Sequence, residues 1–126
     1  MSNTIIFTDK APKPIGPYSQ AVATDSFVFL SGQISLDPAS GELAGTTVEE
    51  QTRIVLSNIR AILTAQKLDY SQLVKVTIFL QSMADFTVVN RVYQETLGDA
   101  KPARSVVEVA RLPRGALIEI EGIAIR

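Results

Sequence analysis

The segment Leu73 to Leu80 alternates, and it lies between two stretches of helical periodicity. Val74, Val76, Ile78 and Leu80 fall on one side of an extended chain. Lys75, Thr77 and Phe79 fall on the other, which predicts a strand with one buried face. Before it, Thr46 or Thr47 opens a helix, each with a glutamate three positions on (Glu49, Glu50), as a capping box requires. Val48, Val55, Ile59 and Ile62 give that helix its buried face, and the chain leaves it over Leu68 to Tyr70. After the strand, Asp85 is placed to cap a second helix carrying Phe86, Val89, Val92, Tyr93 and Leu97, with Gly98 at its stop. A strand with a helix on either side in the chain implies two strand–helix–strand crossovers. These close into one mixed sheet with both helices on one face.

The remaining segments fit that plan. Phe27 to Leu30 is rich in strand formers, ends at Ser31-Gly32-Gln33, and pairs with the preceding segment through a turn near Thr24-Asp25-Ser26. Asp37-Pro38-Ala39-Ser40-Gly41 is a second turn, with room for a short third strand nearby. Three prolines and a glycine in Ala11 to Pro17 exclude helix and central strand, leaving an ordered surface loop that leads into Tyr18. Val106 to Ala110 and Ala116 to Ile125 read as the last two strands, separated by Leu112-Pro113-Arg114-Gly115. One layer of helices leaves the other sheet face bare, with Phe79, Leu117, Ile123 and Ile125 on it. That face is expected to be covered in an oligomer that packs sheet faces together.

At 126 residues the chain fits a single domain, 1–126, with a real core. Net charge is −1 and the Lys and Arg residues are scattered, which argues against a nucleic-acid footprint. No apolar run could span a bilayer, and Met1-Ser2-Asn3-Thr4 lacks the basic-then-apolar order of a secretory leader; a cytoplasmic location is the expectation. Cys and His are both absent, so disulfides, thiol nucleophiles, zinc–thiolate sites and imidazole bases are excluded. Chemistry is left to carboxylates, Tyr, Lys, Ser, Arg, backbone dipoles and water. No Asp-rich loop of the calcium-binding kind supports a carboxylate-only metal site.

Within those limits the most informative residue is Arg104, at the mouth of the Val106 strand. A guanidinium is permanently charged and presents a planar fork of donors that matches a carboxylate. At a core edge it needs an anion. The pattern leaves two sources: a protein acid (Glu108, Glu119 or Glu121) or a small anionic ligand. Glu119 and Glu121 share one strand face, and periodicity does not choose between them.

Five motifs in order carry a family resemblance. They are Gly16-Pro17-Tyr18-Ser19-Gln20-Ala21, Ser31-Gly32-Gln33, Asp85-Phe86 with Val89-Asn90, Pro102-Ala103-Arg104-Ser105, and Ile118-Glu119-Ile120-Glu121. Over essentially its whole length the chain resembles the RidA (YjgF) family of reactive-intermediate imine and enamine deaminases. The resemblance implies a chorismate-mutase-like α+β fold and a homotrimer whose sheets form an internal barrel, with sites in the clefts between subunits. It implies hydrolysis of 2-imino acids such as 2-iminobutanoate and 2-iminopropanoate, or their enamine tautomers, to 2-keto acids and ammonia, without a cofactor or metal. Such intermediates arise from pyridoxal-phosphate dehydratases. Carried over by position, Arg104 grips the substrate carboxylate and Glu119 handles the attacking water. Tyr18, Ser31, Gly32 and Asn90 line the site.

The chain departs from the family pattern twice. Val106 stands, as a further pocket residue, where many relatives have cysteine, which removes thiol chemistry but not hydrolysis by water. Lys101 stands where many have an aromatic residue, which bears on substrate range.

Plainer uses compete for the same residues. Tyr18 also suits a staple under the proline loop, Ser31-Gly32 an ordinary strand-ending turn, Asn90 a surface helix position, and Tyr93 the core. A non-catalytic binder of 2-keto acids would need Arg104 but not Glu119. A ribonuclease or translation-inhibitor role, also attached to this family, finds little support without a basic stripe or a histidine pair.

Overall fold

The computed structural model describes residues 3–126. Met1 and Ser2, on which the expectation about a secretory leader partly rests, lie outside the described residues. The chain forms β1 (Thr4–Ile6), β2 (Ala21–Ala23), β3 (Phe27–Gln33), α1 (Val48–Ala65), β4 (Leu73–Leu80), α2 (Phe86–Leu97), β5 (Ala103–Glu108) and β6 (Ile118–Ile125). The strands make one six-stranded sheet in the order β1-β2-β3-β6-β4-β5. Only β4 and β5 pair in parallel; every other neighbouring pair is antiparallel. This is the expected α+β class with a mixed sheet.

Local chemistry sets the helix ends. Of the two candidate caps for α1, Thr47 is the one used: its hydroxyl accepts from Glu50 N at 3.1 Å, and Glu50 Oε1 accepts in return from Thr47 N at 3.1 Å. At the other end Lys67 takes a left-handed backbone (φ 59°) and Leu68 N reaches back to the Leu63 carbonyl at 2.9 Å, releasing the chain as expected. Gly98, also left-handed at φ 60°, stops α2. Asp85 does not cap α2. Ser82 takes that duty one turn earlier, accepting from Ala84 N at 3.2 Å, so Asp85 is already in helical backbone when α2 begins.

Both helices lie on one sheet face. Val28 and Leu30 of β3, Val76, Ile78 and Leu80 of β4, and Ile118 and Ile120 of β6 are buried there. Above them sit Val55, Ile59 and Ile62 of α1 and Val89, Val92 and Leu97 of α2. Each such side chain contributes about 1.5–3 kcal/mol by leaving water, so the face is strongly specified. Buried polar groups fasten its margins: the Tyr70 hydroxyl donates to the Leu56 carbonyl at 2.7 Å, and Asn58 Nδ2 to the Leu36 carbonyl at 3.0 Å.

Several expectations are corrected. A register irregularity between Leu73 and Lys75 buries Leu73 and turns Val74 outward, so Val74 does not share a face with Val76. β5 begins at Ala103, which puts Arg104 inside the strand opposite Val76 and leaves Val109 and Ala110 beyond its end. Leu117 precedes β6 and packs at the margin of the core, its N–H held by Gln51 Oε1 at 2.8 Å, so it does not belong to the bare face. The possible short third strand is a single bridge between Leu36 and Leu43. The face away from the helices carries Phe27, Phe29 and Ile125, each more than 40% exposed, with Ile123 beside Phe29.

Candidate functional site

The site residues fall into two groups on opposite sides of the sheet. Across β4, Val76 faces Arg104 of β5 and Phe79 faces Glu119 of β6. Positions three apart on a strand point to opposite faces. Arg104 therefore projects with Val76 toward the helices, and Glu119 projects with Phe79 onto the bare face.

The first group is an aromatic shelf under a cation. Phe86, Asn90 and Tyr93 follow one another at i, i+4 and i+7 along α2, which puts them on one stripe. The Arg104 guanidinium lies over the Tyr93 ring at 4.9 Å and over the Phe86 ring at 5.9 Å from their centroids. Ring faces stabilise a guanidinium without using its hydrogen-bonding fork. Among the described residues no carboxylate pairs with Arg104. Of the three acids considered for it, Glu108 is occupied by Met83 N at 2.8 Å, and Glu119 and Glu121 lie on the other face. Lys101 and Pro102 border the pocket beside Arg104, with Leu97 and Ala100 as apolar wall. The Tyr93 hydroxyl is buried without a hydrogen-bond partner, and burial raises its pKa while the Arg104 charge pulls the other way. Val106, opposite Ile78, packs against the core and lines neither cleft described here.

The second group surrounds a carboxylate. Glu119 lies against Gly32 so closely that a Cβ added there would sit 2.8 Å from its carboxyl carbon and collide with Oε2. Glycine at this position is thus what admits the acid. Tyr18, Gly32, Gln33, Ile34 and Pro113 line the cleft with Glu119. Glu119 is half-buried, and its pKa is pushed up first by burial and then by the charge of Glu121. Glu121 itself is exposed, beside Lys75 and Thr77. The structure thereby separates two acids that the sequence pattern does not.

Tyr18 is not a staple: it is 48% exposed, and its hydroxyl accepts from Ile15 N at 3.3 Å, holding the tip of the proline loop. The residue under that loop is Gln20, which the sequence reading did not single out. Its side chain is 1% exposed, accepts from Thr8 N at 2.7 Å, and donates to the Thr8 and Pro12 carbonyls at 2.9 Å and the Ala11 carbonyl at 3.3 Å. An amide heading the apolar run Gln20-Ala21-Val22, directly after a proline-rich loop, is the signal that could have found it. Ser31 ties β3 to the same loop, its hydroxyl donating to the Ser19 carbonyl at 2.5 Å. Among the described residues no group of three or more acids converges as a metal site, and no helix is long and apolar enough to cross a membrane.

The cation on its aromatic shelf and the half-buried acid are carried by one α+β sheet. Residues 8–126 match the family model described as Endoribonuclease L-PSP, and the chain belongs to this family, the RidA/YjgF family. It is 52% identical to a RutC family protein of Pyrococcus horikoshii over 95% of both chains. It is 46% identical to the 2-iminobutanoate/2-iminopropanoate deaminase of Bos taurus over 97% of this chain and 89% of that one. Among solved structures, Escherichia coli TdcF with bound serine superposes with a TM-score of 0.93 at 42% identity, covering 98% of each chain.

Proposed function

We propose that this protein is a homotrimeric hydrolase of small 2-imino acids, 2-iminobutanoate and 2-iminopropanoate among them, releasing 2-keto acids and ammonia. The observation that carries the reading is the Arg104 guanidinium, held on two aromatic rings with its donor fork paired to no carboxylate among the described residues. A bidentate grip on a substrate carboxylate is what such a fork supplies. Glu119, whose pKa is raised by burial and by Glu121, suits a group that must both take and return a proton. Relatives named 2-iminobutanoate/2-iminopropanoate deaminase support the substrate class.

In this reading Glu119 accepts a proton as the water oxygen attacks the C=N carbon of the protonated imine, forming a carbinolamine. The same carboxyl returns the proton to the nitrogen. The C–N bond then breaks with its electron pair leaving on ammonia, and the carbinol O–H proton is released as the C=O forms. An enamine enters the same path after protonation at its carbon. Positioning provides much of the acceleration. Arg104 and Glu119 lie on opposite faces of one chain, and the face that carries Glu119 also exposes Phe27, Phe29 and Ile125. Packing three sheets together would cover that face and bring Glu119 of one copy to Arg104 of the next. The place for this activity is the cytoplasm, beside the dehydratases whose products it would clear.

A second reading, a non-catalytic sensor of small metabolites, draws support from the relative with bound serine. One experiment separates them. A pyridoxal-phosphate dehydratase generates the imine, and keto-acid release is followed with wild type, Arg104→Ala, Glu119→Gln, and the two variants refolded together. Each variant alone should be inactive. The mixture should recover about a quarter of wild-type activity, because random assembly rebuilds that share of two-copy sites. No acceleration by wild type, with intact keto-acid binding, would establish the sensor. An inactive mixture of well-assembled trimers would mean that the two residues do not serve one shared site.

A further inference from the structure

Three residues before Arg104 stands a second cation, Lys101, bordering the same pocket. It is exposed, and among the described residues it pairs with no carboxylate. Leu97, Ala100 and Pro102 share that pocket's lining, which offers apolar contact and contains no acid. A pocket with one cation for an α-carboxylate and an apolar wall beyond it suits a short aliphatic side chain. A pocket with a second free cation at its rim suits a side chain that ends in an anion.

We propose that Lys101 directs this site toward 2-imino acids carrying a second, distal carboxylate, of four- or five-carbon skeleton. The inference rests on the reading of Arg104 as the α-carboxylate site and adds the end of the substrate that reading leaves open. With the α-carboxylate on Arg104, one or two methylenes lie along Leu97 and Pro102 and the distal carboxylate reaches the Lys101 ammonium. Neutral substrates still bind, since an exposed lysine loses no hydration when the pocket's far end stays empty. Such doubly acidic imines form when a flavin or nicotinamide enzyme removes a hydride and a proton from an acidic α-amino acid. That class of reaction would supply this site.

Because Lys101 is exposed, its attraction is screened, and the expected preference is about fivefold. Titration calorimetry with two stable keto acids, 2-oxoglutarate and 2-oxobutanoate, tests it on wild type, Lys101→Met, Lys101→Arg and Arg104→Ala. Wild type should bind 2-oxoglutarate about fivefold more tightly. Lys101→Met should erase the preference by weakening 2-oxoglutarate alone, and Lys101→Arg should keep it. Equal affinities in wild type, or a preference that survives Lys101→Met, would overturn the proposal while leaving the Arg104 reading intact. If Arg104→Ala leaves both affinities unchanged, or neither acid binds wild type, the reading of Arg104 falls and this proposal with it.

Discussion

Gly32→Ala tests the placement of the acid more directly than any change to the acid itself. The new Cβ would lie 2.8 Å from the Glu119 carboxyl carbon and 3.1 Å from Cγ, so the carboxyl group must give way. Ordinary carbon–carbon contact requires a retreat of about 1 Å. Gly32 is not among the glycines with a left-handed backbone, so alanine fits the strand and the Glu119 side chain absorbs the whole conflict. A side chain forced some 30° off its rotamer costs about 0.5–1.5 kcal/mol. For a chain of this size that lowers the melting temperature by only about 4 °C. A reacting group displaced by about 1 Å can lose about a hundredfold in rate. The expected result is a folded protein that binds 2-keto acids nearly as wild type does and turns over imine about a hundredfold more slowly, followed as keto-acid release beside a dehydratase. Adding Gly32→Ala to Glu119→Gln should cost little more, because both changes disable one group. Turnover within about threefold of wild type, or full additivity in the double variant, would refute the idea that Glu119 acts from its position on Gly32.

Three further outcomes follow from the same geometry. Burial and Glu121 make the folded state hold the Glu119 proton more tightly than the unfolded chain does. Stability therefore falls as pH rises from the ordinary carboxylate value of 4.5 through the raised one. Glu119→Gln should melt higher than wild type at pH 7 and lose that advantage near pH 4, whereas an equal difference at both pH values would count against the shift. Gln20→Ala strands the Thr8 N–H and the carbonyls of Ala11 and Pro12. It should cost about 3 kcal/mol, or about 10 °C in melting temperature by calorimetry, and a change under 2 °C would show that water replaces the amide. Phe29→Lys places a charge on the bare face, where Phe29 is 45% exposed in the single chain. Sedimentation should find folded monomers without activity, and intact trimers would mean that this face is not the contact.

What the sequence disclosed depended on the range of the signal. The Thr47–Glu50 box, the Gly98 stop and the Thr24–Ser26 turn are complete within a few residues, and each appears where the pattern puts it. Val74 escaped because a register irregularity between Leu73 and Lys75 shifts which residues face the core, and alternation alone carries no mark of it. β1 escaped for a different reason. Three residues cannot show a period, and Thr4–Ile6 is a strand only because β2 offers it an edge. Gln20 looked like ordinary polarity, since its partners at Thr8, Ala11 and Pro12 are defined only once the loop has closed.

The candidate site divides along the same line. That Arg104 needs an anion follows from the chemistry of guanidinium and is visible in the sequence; that Tyr93 and Phe86 hold it from below depends on how α2 crosses β5. What distinguishes Glu119 from Glu121 in the fold is Gly32, a residue on another strand against which the Glu119 carboxylate packs, while Glu121 stays exposed. Most consequential is a parity. Val76 and Phe79, the β4 neighbours of Arg104 and Glu119, are an odd number of residues apart, so one chain cannot turn both groups to the same side of its sheet. A one-residue slip of β5 would align them but would also carry Val106 out of the core and Val107 into it, against the burial now observed. The register that builds the core therefore keeps the two groups apart, and any reaction needing both must recruit one of them from another copy of the chain.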